Sequence, residues 1–339
     1  MPSPSRQDII FKERDDKNLE GEATMNNPVP KKKIIVVGSS NTDMIIKTPR
    51  IPRPGETVLS GEFYMAAGGK GANQAVAAAR AGADVVFIGR VGDDMFGKQQ
   101  VDSLIHDGIN VAHVVRDKEA PSGVALICVA PDGENSITVA SGANARLAPE
   151  DVKHAEKVIT SASLLLLQLE TPFETIKAAA EIASAAGVPV ILNPAPAQTL
   201  GADILSHVTY FTPNETEAEL LTGRAIVKKS DLFGAAEALL SKGIKAVLIT
   251  LGAQGVYVAT KEKMDLVPAF RVRAIDTTAA GDVFNGALAV ALAETKPLQE
   301  AVRFASAAAA LSTTKIGAQP SIPFRKEIED FLRESSSRP

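Results

Sequence analysis

A chain of 339 residues, 45% hydrophobic and 22% charged, lies in the range of folded globular proteins and can bury a large core without disulfides or a structural metal. Its net charge of −4 gives no electrostatic footprint for nucleic acid, and a single cysteine, Cys128, excludes a disulfide framework or thiolate cluster and suits a reducing compartment. The longest apolar runs are too short to span a bilayer and the first thirty residues hold no signal-peptide core, so a cytoplasmic chain without membrane partners is expected.

Residues 1–32 mix acidic, basic and proline positions, which reads as a disordered tail too acidic for a transit peptide. The ordered part opens with Ile34-Ile35-Val36-Val37, a β-branched run expected to form a buried strand. Further strands are expected at 85–88, 164–167, 188–192, near 208–211 and at 246–249. They alternate with alanine-rich, helix-period segments at 70–82, 172–186, 230–241 and 280–293. That alternation predicts a mostly parallel sheet covered on both faces. Two segments break it, about 44–66, with Thr57-Val58-Leu59, and about 112–140, the second a hairpin around Pro131-Asp132-Gly133. They are expected to form a small sheet standing off the main one, as a lid or a dimer surface.

The chemistry concentrates at Asp276-Thr277-Thr278-Ala279-Ala280-Gly281-Asp282, which runs into a small-residue helix. Ala280 and Gly281 at a helix start leave backbone N–H groups open to an anion. Asp282 in the first turn has two local readings: it complements the helix dipole, or it accepts a proton from a hydroxyl attacking a phosphoryl group. A second small-residue turn, Gly68-Gly69-Lys70-Gly71-Ala72-Asn73, lets backbone approach a ligand while Lys70 and Asn73 offer donors. It is not a Walker loop, because Gly71 stands where that pattern needs Ser or Thr, nor a dinucleotide fingerprint, because Gln74 takes the last glycine position. Asn214 and Glu217, three apart at a helix start, form a capping-box pattern on one face. Thr250, Gly252 and Gly255 follow a strand and suit either a simple turn or a phosphate contact. The histidines, His106, His113, His154 and His207, are scattered and give no metal or hydrolase motif.

The run Gly281-Asp282-Val283-Phe284-Asn285-Gly286, with Gly68-Gly69-Lys70-Gly71-Ala72-Asn73-Gln74-Ala75, resembles the two signatures of the ribokinase or pfkB-type carbohydrate kinase family. The resemblance covers about 33–335 and includes Asn193-Pro194-Ala195-Pro196, 212–217, Thr250-Leu251-Gly252 and 315–320. It implies a three-layer α/β/α sandwich with a small β-sheet lid, and ATP-dependent phosphorylation of D-ribose on its 5-hydroxyl. By that resemblance Asp282 is the general base and Ala279, Ala280 and Gly281 belong to the anion hole. The sugar hydroxyls fall to Asn41, Asp43, Gly69, Lys70, Asn73, Glu170 and Asp282. ATP, with Mg²⁺, falls to Asn214, Glu217, Thr250, Gly252, Gly255 and Gly281. A K⁺ site is implied at Asp276, Thr278, Ser312, Lys315, Gly317 and Ser321, several through carbonyls, and a homodimer through the lid. Ser306 departs from the pattern, standing where related chains carry a larger polar residue near adenine. Another sugar (fructose, 2-deoxyribose, a keto-deoxy sugar acid or a nucleoside) and a catalytically silent sensor are the alternatives.

Overall fold

The computed structural model describes residues 31–59 and 61–336. The tail expected over 1–32 lies outside these apart from Lys31 and Lys32, and Lys32 already meets the sheet, its carbonyl accepting from Asp84 N. The first half of the chain contributes β1 (Lys33–Val37), β2 (Asn41–Lys47), β3 (Glu62–Gly68), β4 (Asp84–Gly92), β5 (Asn110–Asp117), β6 (Gly123–Val129) and β7 (Asn135–Ala140). The second half adds β8 (Leu164–Leu167), β9 (Val190–Leu192), β10 (Tyr210–Phe211), β11 (Ala246–Thr250), β12 (Val256–Thr260) and β13 (Met264–Val267). A nine-stranded sheet takes the order β13-β12-β11-β10-β9-β8-β1-β4-β5, parallel except for β12 and β13, and β3-β2-β6-β7 form a separate four-stranded sheet.

Each central strand is buried on both faces, so its apolar run splits by alternation between two cores. Ile34, Val36, Leu164 and Leu166 face one core; Ile35, Val37, Leu165 and Leu167 face the other. The helices are α1 (Lys70–Arg80), α2 (Met95–His106), α3 (Pro149–His154), α4 (Glu156–Thr160), α5 (Phe173–Ala185) and α6 (Ala202–Leu205). They continue with α7 (Glu215–Thr222), α8 (Lys229–Leu240), α9 (Ala280–Ala293), α10 (Leu298–Ser312) and α11 (Arg325–Ser336). Residues of α1, α9 and α10 fill the first core, and residues of α5 and α8 the second, giving the expected α/β/α sandwich.

Two details correct the sequence reading. Residues 112–117 belong to the main sheet, because β5 pairs in parallel with β4; the small sheet takes only 123–140 of that segment. Residues 57–59 are irregular, and the strand of the first segment begins at Glu62 and ends against Asn41, where Gly68 pairs with it.

β1 pairs with β4 on one side and β8 on the other, so the chain fans out in both directions from this pair. The crevice beyond the carboxyl ends of two such strands is where open α/β sheets hold ligands. α9 lies close against α1 because Gly286 has no side chain: a Cβ there would sit 2.5 Å from Ala77 Cβ and 2.6 Å from Gln74 O. Replacing Gly286 by Ala therefore forces the two helices apart, and overpacking of this kind costs about 1–3 kcal/mol. Thermal unfolding of Gly286→Ala should show a lowered Tm, and an unchanged Tm would show that the contact is not tight.

Candidate active site

Two cavities open beyond the carboxyl edge of the sheet. The larger, ≈ 320 Å³, is lined by Ser39 and Asn41 after β1, by Asn144, by Glu170 after β8, and by Val139 of the small sheet. The smaller, ≈ 230 Å³, is lined by Lys70, Asn214, Glu217, Thr250 and the start of α9 from Ala279 to Asp282. The amino end of α1 joins them: Lys70 N donates to Glu170 Oε2 at 3.0 Å in the first, while Lys70 itself lines the second. Gly69 makes this possible, with φ +87 and only 2.8 Å between an ideal Cβ and Asn41 N, a place that no other residue fills without strain.

Asp282 is 6% exposed. Its Oδ2 accepts from Asn73 Nδ2 at 3.1 Å and its Oδ1 from Gln74 Nε2 at 2.9 Å. Burial pushes its carboxyl above the usual carboxylate range, while the Lys70 ammonium and the two amides pull it back. Lys70 responds in kind, its ammonium held above its ordinary range chiefly by Asp282. The helix start is strained as a functional turn can be: Ala279 is left-handed at φ 60, a conformation costly for any residue with a Cβ. Ala280 N donates to Thr277 O at 3.2 Å, so the Gly281 and Asp282 amides are the ones open at this helix start. The sequence reading had counted Ala280 among the open donors.

Asn214 and Glu217 form the reciprocal capping box, Glu217 N to Asn214 Oδ1 and Asn214 N to Glu217 Oε2, each 2.8 Å, and both also line the smaller cavity. The pair thus caps α7 and lines the cavity at the same time. Thr250 joins them through a parallel bridge to Asn214. Gly252 and Gly255 line neither cavity. Gly255 serves packing, since a Cβ there would lie 2.1 Å from Val267 O.

Asp276 gathers the remaining loop. Its Oδ1 accepts from Thr278 N and Thr278 Oγ1, and its Oδ2 from Gly317 N, at 2.9, 2.6 and 2.8 Å. Ser312, Lys315 and Ser321 enter less directly: Lys315 pairs its ammonium with Glu327 at 2.9 Å, and the hydroxyls of Ser312 and Ser321 donate to Ala309 O and Ala318 O. Among the described residues, no group of three or more His, Cys, Asp or Glu side chains is placed to hold a metal ion. Ser306 is buried in α10 and its hydroxyl has no partner.

Sequence reasoning missed Ser39, whose hydroxyl donates to Glu170 Oε2 at 2.6 Å, and Asn144, which donates to Asn41 Oδ1 at 2.8 Å. It also passed over the amides beneath Asp282: Gln74, Gln168, Asn193 and Asn285. Gln74 and Asn193 stand in segments that the sequence does single out; Asn144 stands in an unmarked turn and carries no local signal.

Residues 31–325 match the profile of pfkB family carbohydrate kinases. The chain belongs to that family. It is 48% identical over 305 residues to a ribokinase of Haemophilus influenzae, covering 90% of this chain and all of that one. A deoxyribokinase of Salmonella typhi is 38% identical over 300 residues, covering 88% and 98%. Among solved structures, the Arabidopsis thaliana ribokinase complexed with ribose and ATP superposes with a TM-score of 0.83 at 32% identity, covering 90% and 99% of the two chains. This pfkB-family protein is an ATP-dependent sugar kinase. None of its described helices is long and apolar enough to cross a membrane.

Asp43 of this kinase stands with its carboxylate against Gly68, where a Cβ would come within 2.2 Å of Oδ2. Its carboxyl is pushed up from 3.8 to about 7, first by burial and then by the negative charges of Glu170 and Asp282. Between those two values the folded chain keeps a proton that the unfolded chain has released. Stability from this group is therefore present at low pH and lost as pH rises through about 7. Asp43→Asn removes the penalty: without ligand its Tm should exceed that of the parent at pH 8, and the gain should shrink as pH falls toward 4. A difference that does not change with pH would contradict this account.

Proposed function

We propose that this kinase transfers the γ-phosphoryl group of ATP to the 5-hydroxyl of D-ribose, with Asp282 as general base. The observation that carries the proposal is the place of Asp282: a buried carboxylate at a helix start, in the wall of the cavity that also holds Asn214, Glu217 and Thr250. Beside it, Asn41, Glu170 and Asp43 supply polar groups at the larger cavity and its margin, where sugar hydroxyls find partners. Gly69, Lys70 and Asn73 complete that set from the start of α1. The ribokinases among its relatives favour ribose, and the deoxyribokinase makes 2-deoxyribose the competing sugar.

In this reading ATP lies along the smaller cavity, with its adenine end beyond Thr250 toward Gly252. Asp282 takes the proton of the attacking hydroxyl, and the Gly281 and Asp282 amides with Lys70 stabilise charge on the transferring group. The small sheet, rooted at Asn41 beside the sugar groups, excludes water as it closes. Mg²⁺ fits the donor chemistry: Glu217 commits Oε2 to the capping box, leaving Oε1 for a water of a shell otherwise filled by phosphates. Bound there, Mg²⁺ neutralises phosphate charge. K⁺ at the loop around Asp276 rests on the family resemblance; the carboxylate there would supply its charge while accepting from the N–H groups of Thr278 and Gly317.

The small sheet also supplies the surface for a homodimer. Ile46, Phe63, Met65 and Leu126 are 43–59% exposed and share one face by register, the face opposite Asp43 and Val139. Contiguous exposed apolar groups of this kind mark an interface. Leu126→Asp should leave a monomer by light scattering, and a mass unchanged from that of the parent would remove the lid from the interface.

The test of the activity is ADP formation with MgATP, K⁺ and a panel of D-ribose, 2-deoxyribose, fructose and adenosine. Ribose should give the highest kcat/KM, and Asp282→Asn should lower kcat by about 10²–10⁴-fold while ribose still binds. Near-normal turnover in that variant would sink the assignment of the base, and preference for another sugar would sink ribose alone.

A further inference from the structure

Beneath Asp282 runs a chain of buried amides. Gln168 Nε2 donates to Gln74 Oε1 at 2.6 Å, and Gln74 Nε2 donates both to Asp282 Oδ1 at 2.9 Å and to Asn193 Oδ1 at 3.1 Å. Asn193 Nδ2 continues to Thr212 O at 3.0 Å, Thr212 Oγ1 to Asn285 Oδ1 at 2.6 Å, and Asn285 Nδ2 to Gly281 O at 2.8 Å. All five are at most 7% exposed; Asn193, Thr212 and Asn285 also line the smaller cavity, while Gln74 and Gln168 line neither and have no water to turn to. An amide reversed at Gln74 would set its oxygen against Asp282 Oδ1 and against Asn193 Oδ1, two acceptors at once. The orientation is thus fixed from both ends.

We propose that Gln74 is a positioning residue for phosphoryl transfer: held by Gln168, it aims one N–H of its amide at Asp282 Oδ1 and keeps that carboxylate ionised and in one rotamer. The chain then ends on the carbonyl of Gly281, so the same set of bonds fixes the backbone whose amides face the phosphoryl group. The other neighbours of the carboxylate act beside Gln74. Asn73 donates to Oδ2, its own Oδ1 accepting from Gln319 at 3.3 Å, and leaves Oδ1 of Asp282 to Gln74. Lys70 attracts the charge, while Glu170, Asp43 and Glu217 oppose it. A charge-assisted hydrogen bond between buried groups contributes about 1.5–3 kcal/mol, which as a loss of ionised, aligned base is about 10-fold to 150-fold.

The inference rests on the reading of Asp282 as base, and two readouts keep the two apart. In the full-length kinase, Gln74→Met keeps the length of the side chain and removes the amide. Its kcat at pH 7 should fall about 10-fold or more with KM for the sugar changed far less, and the acidic limb of kcat against pH should move up by about one unit. The second readout needs no turnover: with ¹³C-labelled aspartate, the Asp282 carboxyl signal, assigned by its loss in Asp282→Asn, should titrate at higher pH in Gln74→Met. If kcat falls together with Tm while both midpoints stay in place, Gln74 only fills the core and the inference is overturned. If Gln74→Met does not fold, Gln168→Met removes the group that holds Gln74 without touching Asp282; the same upward movement, smaller, is expected, and unmoved midpoints overturn the inference. Near-normal turnover in Asp282→Asn removes the base, and the carboxyl titration then still decides whether Gln74 sets its charge.

Discussion

A carboxylate taken out of water loses hydration that only fixed donors can replace, and at Asp282 nearly all of that hydration is gone. Much of the surrounding architecture supplies the replacement. Two amides of α1 reach its oxygens, an ammonium from the same helix adds its field, and the carboxylate itself sits at the start of α9, where the helix dipole favours negative charge. These donors come from segments more than 200 residues away in sequence. They meet only because Gly286 lets α9 settle on the backbone of α1. The close crossing of two helices is therefore the constraint from which the geometry of the site follows.

The same crossing divides the crevice. α1 begins directly against the junction of β1 and β2, and α9 begins beside the loops after β10 and β11, so the start of α9 belongs to the smaller cavity and the start of α1 stands between the two. Helix starts gather open amides, and here those amides and the polar side chains around them face inward. The larger cavity is closed on a further side by Val139 of the small sheet, whose strands β2 and β6 leave the main body near Asn41 and Gly123. Because β2 carries Asp43 on one face and Ile46 on the other, movement or pairing of that sheet bears directly on Asp43.

The sequence made the layered fold legible because its central strands are buried on both faces and so appear as continuous apolar runs, distinct from the alanine-rich helices between them. The division between the main sheet and the small one was harder to read. Residues 112–117 have no feature that separates an edge strand of the large sheet from a strand of the small one; only pairing with β4 decides it. At the site, the local patterns were clear where backbone chemistry makes them so: glycines at Gly68 and Gly69, a helix start at Gly281, a capping pair at Asn214 and Glu217. What local pattern could not reveal was partnership across the chain. Asn144 is 103 residues from Asn41, and Gln74 is 94 from Gln168.

Those long-range amides also explain how the buried surroundings of Asp282 can be rigid where, among the described residues, no metal-binding cluster is found. Each amide has a donor end and an acceptor end, so a buried row of them has a direction, and reversing one member leaves unpaired groups on both sides. The row beginning at Gln168 and ending at Gly281 O fixes Asp282 and the turn at Ala279 through one set of bonds. A strained turn such as Ala279 at φ 60 persists only when its surroundings determine it more than once. Here the Asn285 amide holds the carbonyl of Gly281 from within α9, and the loop at Asp276 clips the approach to the turn through Thr278 and Gly317. Charge and backbone shape at the helix start are consequently set in part by neighbours as distant from it as Gln168 and Gly317.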